Sequence, residues 1–130
     1  MGKVIVVDDQ PAVRLLLRTV IEQRGHEVVE AAAADEALSE VRAGPPDLIL
    51  VDLNLPGTDG LEFIRRLRSS GWAGPVIVVS AGEWRPEEPL RSSLGIAGHL
   101  EKPFDLAVLG EAMDAAMGRG GPSGRPRPVA

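Results

Sequence analysis

Residues 4–11 read Val4-Ile5-Val6-Val7-Asp8-Asp9-Gln10-Pro11. Four consecutive apolar residues without alternation suit a strand buried on both faces. Proline is tolerated at the first position of a helix, where its missing N–H has no partner to lose. The stretch is therefore a strand that runs into a helix through Asp8, Asp9 and Gln10. After Pro11, residues Val13, Leu16, Leu17 and Val20 form an apolar stripe that stops at Gly25. A buried strand feeding a helix is the first half of a βαβ unit, and repetition of that unit builds a parallel sheet wrapped by helices.

The rest of the chain repeats the pattern. A weaker strand around Glu27 to Ala31 precedes a helix with Ala34, Ala37, Leu38 and Val41, closed by Gly44, Pro45 and Pro46. The third strand, Leu48 to Asp52, leads through a turn over 53–60 into a helix with Leu61, Ile64 and Leu67 inward and Arg65, Arg66 and Arg68 largely outward, ending at Gly71. A fourth strand, Val76 to Val79, stops at Ser80, and a fifth, near Ala97 to Glu101, stops at Lys102 and Pro103. Asp105 then caps a last helix with Leu106, Leu109, Met113 and Met117 inward, in which Gly110 costs about 1 kcal/mol relative to alanine. Between strands four and five, Pro86 and Pro89 leave room for only a short helix anchored by Leu90 and Leu94. Residues 118–130, rich in Gly, Pro and Arg, have no apolar period and read as a disordered tail beyond a domain over 1–117.

A chain of 130 residues with 44% hydrophobic content fills one core. No stretch approaches the ~20 apolar residues that span a bilayer, and no basic segment followed by an apolar signal region opens the chain, so the reading is a soluble, cytoplasmic protein. Cysteine is absent, which excludes a disulfide framework and thiolate metal sites. The net charge of −5 conceals a division: without Arg119, Arg125 and Arg127 of the tail, eleven basic residues face nineteen acidic ones, a net −8. An acidic body gives no footprint for nucleic acid, and direct nucleic-acid or membrane contact is not expected.

Ligands of an open parallel sheet bind beyond the carboxyl ends of its strands. Asp8 and Asp9, Asp52, and Lys102 all stand there and so share one pocket. Two unit charges ~4 Å apart repel by roughly 4 kcal/mol at an effective dielectric of ~20, so three carboxylates need positive compensation. Lys102 supplies one charge. A divalent cation on oxygen ligands supplies two more, with Mg²⁺ the usual choice where a phosphoryl group is handled. A carboxylate so neutralised can attack phosphorus and form an acyl phosphate. Asp52 is the candidate nucleophile, since it stands alone at the end of the middle strand while Asp8 and Asp9 hold the metal from the side. Ser80 and Lys102 are placed to contact phosphoryl oxygens.

Over residues 3–117 the chain resembles the receiver domain of two-component response regulators, of the stand-alone, CheY-like kind. The motifs are Asp8-Asp9, Val51-Asp52-Leu53-Asn54-Leu55-Pro56-Gly57-Thr58-Asp59-Gly60, Ser80-Ala81, Gly95, and Lys102-Pro103-Phe104, with steps of 43 from Asp9 to Asp52, 28 to Ser80 and 22 to Lys102. The resemblance implies a flavodoxin-like, doubly wound α/β fold, with a five-stranded parallel sheet in the order 2-1-3-4-5 and helices on both faces. It implies Asp52 as phosphoacceptor, with Asp9, Asp52 and the backbone carbonyl of Asn54 as direct Mg²⁺ ligands and Asp8 acting through water. Ser80 and Lys102 match the pair that senses the phosphoryl group, and the Lys102-Pro103 bond is usually cis in the family. His99 departs from the family, which usually has tyrosine or phenylalanine there, and two readings stand: a modified switch pair of Ser80 and His99, or a half-exposed strand residue with no signalling role.

The implied partners are a histidine kinase or phosphotransfer protein as donor and an output protein of unknown identity, with the chain monomeric or dimerising on phosphorylation. Such a chain is a signalling module rather than an enzyme. Asn54 and Gly82 flank the acceptor with little bulk, which implies a short-lived phosphoryl group. Three alternatives stand beside this reading: a phosphorylation-independent scaffold, the N-terminal part of a larger regulator, and a Mg²⁺-dependent phosphohydrolase. The last lacks its acidic residue two positions beyond the nucleophile, where Asn54 stands. Trp84, in the Pro-rich loop, is a candidate for covering core or meeting a partner.

Overall fold

The computed structural model describes residues 2–55, 57–81 and 93–117. Its elements are β1 (Lys3–Val7), α1 (Pro11–Gln23), β2 (Glu27–Ala31), α2 (Ala34–Ala43), β3 (Leu48–Asp52), α3 (Gly60–Ser69), β4 (Val76–Ser80), β5 (Ile96–Glu101) and α4 (Leu106–Ala116). The expected short helix around Pro86, Pro89 and Leu90, the positions Gly82 and Trp84, and the tail from 118 lie outside the described residues. All pairings of the main sheet are parallel, in the order β2-β1-β3-β4-β5. The order reverses direction between β1 and β3, so the ends of these two strands open a crevice.

Side chains of a strand alternate between faces, and the core divides accordingly. Ile5, Val7, Ile49, Val51, Val76 and Val78 pack with α2 and α3 on one face, among them Ala37, Leu38, Ile64 and Leu67. Val4, Val6, Leu48, Leu50, Ile77, Val79 and Leu100 pack with Leu17, Ile21, Leu109 and Met113 of α1 and α4 on the other. Strands covered on both faces must be apolar throughout, which is why the runs at 4–7, 48–51 and 76–79 show no polar alternation.

The helix stripes differ from the sequence reading in detail. In α1 the buried residues are Leu17, Val20 and Ile21, whereas Leu16 is 43% exposed. The run Leu15-Leu16-Leu17 admits two adjacent stripes of the same period, and the one through Leu17 and Ile21 meets the sheet. In α3 Phe63 is fully buried beside Ile64 and Leu67, while Leu61 lies at the margin of the core. In α4 Leu109 and Met113 are buried, but Leu106, at the first turn, is 44% exposed. The Asp105 cap is present, its Oδ1 accepting from the Ala107 amide at 2.7 Å. His26 is half-buried, its Nδ1 accepting from the Gly2 amide at 3.0 Å.

Two arginines do structural work that composition does not show. A Cβ at Gly110 would lie 2.7 Å from Arg24 Nη1, and the same guanidinium pairs with Asp114 at 2.5 Å. Gly110 is therefore the gap that lets Arg24 lie across α4. Arg68, expected to point outward, folds back over the beginnings of β4 and β5. Its Nε donates to the Leu94 carbonyl at 2.8 Å, Nη1 to Gly74 at 2.8 Å and Trp72 at 3.2 Å, and Nη2 to Gly95 at 3.1 Å. The guanidinium also sits 5.4 Å from the centre of the Trp72 ring, a cation–π distance.

Hydrogen bonds to a charged donor contribute about 1.5–3 kcal/mol each, and carbonyls left without partners add to the loss. We expect Arg68→Ala to lower the unfolding free energy by about 3 kcal/mol, and Arg68→Lys, which lacks the planar fork, to recover less than half of it. Urea denaturation of the three proteins checks this.

Candidate functional site

The site lies at the carboxyl ends of β1, β3, β4 and β5. Asp8 follows the last residue of β1 and Asp52 ends β3, which pairs with β1 through Val7 and Val51. Adjacent parallel strands of equal length deliver these two carboxylates to one place. They are almost wholly buried, at 1% and 4% exposure, and Asp9 beside them is exposed. One oxygen from each of the three lies within 4.8 Å of the others. The pocket inferred from strand ends is thus assembled in the fold.

Lys102 occupies its centre. Its Nζ donates to Asp52 Oδ2 at 2.9 Å and to Asp8 Oδ2 at 3.2 Å. The lysine is delivered by β5, whose partner β4 accepts the Lys102 amide on the Ser80 carbonyl at 2.7 Å. The Lys102-Pro103 peptide is cis, as the resemblance implies. Burial opposes charge on Lys102, yet the hydrogen bonds to Asp52 and Asp8 more than offset it and raise the ammonium pKa. Burial pushes the Asp8 carboxyl above its ordinary 3.8, against the Gln10 amide and Lys102, which favour the ionised form.

The remaining oxygens are held by turns. Asp8 Oδ1 accepts from the Gln10 amide at 2.8 Å, and Asp52 Oδ1 from the Asn54 amide at 2.9 Å. Gln10, without a side-chain bond, occupies the cap position of α1, so Asp9 is not its capping residue and its exposed carboxylate is left to the pocket. Beyond Asp52, Asn54–Leu55 pairs antiparallel with Thr58–Asp59 in a small ribbon within the expected turn, and Asp59 Oδ1 caps α3 by accepting from Leu61. The ribbon returns α3 tightly against the backbone that follows Asp52: a Cβ at Gly60 would stand 2.6 Å from Leu53 Cα. Glycine is required there by close approach.

Ser80 is 5% exposed, and its Oγ lies 2.9 Å from Nε2 of His99 in a hydrogen bond. The two candidate switch residues are therefore in contact. Sequence reasoning missed Arg14 and Glu30, which border the Asp8 turn, because pairing an α1 residue with the end of β2 requires the fold. It also missed an apolar cleft of about 430 Å³ beside Lys102, lined by Val13, Leu16, Ala81, Pro103 and Phe104. The signal for the cleft was present in the surplus leucine of the Leu15-Leu16-Leu17 run.

A buried carboxylate pair with a third acid at its mouth, all oxygen donors, suits a hard divalent cation. Set at the switch point of a doubly wound parallel sheet, with a lysine from the last strand, it is the architecture of a phosphorylation-signalling receiver. The chain belongs to that family: the model of the response regulator receiver domain matches residues 4–114. It is 38% identical over 130 residues to the KDP operon transcriptional regulatory protein KdpE of Escherichia coli K12, covering 99% of this chain and 57% of that protein. It is 35% identical over 112 residues to sporulation initiation phosphotransferase F of Bacillus subtilis, covering 85% of this chain and 90% of that one. The chain therefore spans little more than half the length of KdpE. Among solved structures, chemotaxis protein CheY4 of Vibrio cholerae superposes with a TM-score of 0.82 at 27% identity, over 89% of this chain and 98% of that one. A LuxR-family response regulator from Aurantimonas superposes at 0.79 with 34% identity, over 88% and 84% of the two chains.

A carboxyl whose folded pKa lies above its unfolded value binds its proton more tightly in the folded chain. For Asp8 the contribution to stability is therefore greatest at low pH and declines as pH rises from 3.8 through the folded pKa. At pH 7 the ionised group opposes folding. We expect Asp8→Asn, which keeps an oxygen for the Gln10 amide, to raise the Tm of the metal-free protein at pH 7. The advantage should vanish toward pH 4, and thermal denaturation in chelator at the two pH values checks it.

Proposed function

We propose that Asp52 is the phosphoacceptor of this receiver, supplied by a phosphohistidine on a histidine kinase or phosphotransfer protein. The observation that supports it most directly is the placement of Asp52 in the pocket with Lys102 and the Asp8–Asp9 pair, buried, with one oxygen on Lys102 and the other on the Asn54 amide. Asp9, Asp52 and the Asn54 carbonyl, with Asp8 beside them, would hold Mg²⁺, which would supply the positive charge that lets an anionic acceptor meet an anionic phosphoryl group. Asp52 then uses a carboxylate oxygen to attack phosphorus. The O–P bond forms as the N–P bond of the donor breaks, and the departing imidazole takes up a proton.

Lys102 now spends its charge on two carboxylates. With that charge balanced from elsewhere, its ammonium turns to a phosphoryl oxygen, and the Ser80 hydroxyl turns to another. Ser80 touches His99, so the change is carried to β5 and the surface of the receiver unit over residues 1–117, with 118–130 as a tail outside it. The output is the binding of another protein in the cytoplasm, with no direct nucleic-acid contact. Leu16 and Phe104 of the apolar cleft beside Lys102 offer the footing for the donor protein, since an exposed apolar patch next to a reactive group marks a contact surface.

Intact mass after incubation with a small acyl-phosphate donor tests the reading. One phosphoryl group should appear with Mg²⁺, and none with chelator or in Asp52→Asn. Addition in Asp52→Asn, or none to wild type from either the small donor or a phosphorylated histidine protein, contradicts it. A partner bound equally well by wild type and Asp52→Asn would favour the scaffold reading. We also expect Leu16→Glu to slow transfer from a protein donor about tenfold or more, the scale of a lost interface anchor, while the small donor discriminates far less.

A further inference from the structure

Arg14 lies one turn into α1 and carries no assigned role. Its Nη1 donates to the backbone carbonyl of Asp8 at 2.7 Å, and its Nε donates to Glu30 Oε1 at 2.9 Å. Arg18 holds the other oxygen of that carboxylate at 2.8 Å. The Arg18 hydrogen bond, opposed by partial burial and reinforced by Arg14, keeps the Glu30 carboxyl below its ordinary pKa of 4.5. Glu30 precedes Ala31, whose carbonyl accepts the Asp8 amide at 3.0 Å. A closed circuit results: Asp8 N–H to β2, β2 through Glu30 to Arg14, and Arg14 back to the Asp8 carbonyl.

That carbonyl belongs to the peptide plane that continues into Asp9. The peptide is rigid about its C–N bond, so a hydrogen bond that fixes the Asp8 oxygen also fixes the Asp9 N–H and the direction in which Asp9 leaves the turn. Asp8 is further held through both carboxylate oxygens, by Gln10 and Lys102. Asp9, in contrast, is exposed, and its orientation rests on the backbone that carries it. The charge of Arg14 is answered by Glu30, so the guanidinium adds rigidity next to the acidic pocket while its charge is spent outside it.

We propose that Arg14 is a positioning residue for the cation site: by clamping the Asp8 carbonyl to β2 it presets the Asp9 carboxylate for Mg²⁺. This rests on the reading of the acidic pocket given above. Its weight should resemble that of other groups that orient metal ligands from behind, whose loss weakens affinity by about 10- to 100-fold.

The test is the Mg²⁺ dissociation constant of the full chain, measured by amide chemical-shift titration at fixed ionic strength, for wild type, Arg14→Ala, Arg14→Lys and Arg24→Ala. Thermal midpoints in chelator report whether each variant is folded. Arg24 is the control, because it is another arginine in an ion pair, at the carboxyl end of α1, and its partner is Asp114 on α4. We expect both Arg14 variants to bind Mg²⁺ about tenfold more weakly or worse, with the Asp9 amide resonance displaced before metal is added, and Arg24→Ala to bind as wild type does. Equal affinity in wild type and both Arg14 variants overturns the proposal. So does a loss in Arg24→Ala as large as in Arg14→Ala, or full affinity in Arg14→Lys, which keeps the charge but not the fork. Failure of wild type itself to bind Mg²⁺ strikes instead at the reading of the pocket.

Discussion

The carboxylates of Asp8 and Asp52 are forced together by the pairing of β1 with β3, and the ammonium of Lys102 is what makes that tolerable. Two nearly buried acids facing one another carry a desolvation cost as well as mutual repulsion, and a single cation bonded to both relieves much of each. Sheet order, strand length and the position of Lys102 after β5 are joint conditions for this arrangement. If β5 were shifted by one residue, the lysine would point to the other face of the sheet. The core can thus be regarded as the frame that brings three strand ends into register, and the pocket as the place where the cost of that registration is concentrated.

Much of this was legible in the sequence because its strands are buried on both faces. Uninterrupted runs such as Val4 to Val7 and Val76 to Val79 cannot be read as amphipathic helix or half-exposed strand, and the polar residue that ends each run, Asp8 or Ser80, marks the crevice. Gly95 and the cis Lys102-Pro103 bond agree with the receiver-like motif in which they stand. The stripes of α1 and α4 were less legible. Three consecutive leucines at 15–17 satisfy two stripes, and only the sheet decides that Leu17 goes in and Leu16 out. Leu106, the residue directly after the Asp105 cap, fits the period of α4 but lies before the helix reaches the sheet.

What could not be read were contacts between residues distant in sequence whose types are ordinary. Arg68 looks like one of several surface arginines on α3, and its role follows from carbonyls at 72, 74, 94 and 95 that converge only after folding. Gly110 looks like a flaw in a helix until Arg24 is placed over it. His26 and Gly2, and Ser80 and His99, are likewise products of strand pairing. For Ser80 and His99 the sequence did supply both members, because their separate positions fit the receiver pattern, but the hydrogen bond between them is a property of the β4–β5 register.

Arg68 and Lys102 stand at opposite ends of the same two strands, β4 and β5. One ties down the beginnings of the strands and owes nothing to reactivity; the other sits where they finish and offsets the charge of the two acids gathered there. A lineage carrying this fold can therefore vary its chemistry at one pole while its tolerance of mutation is underwritten at the other.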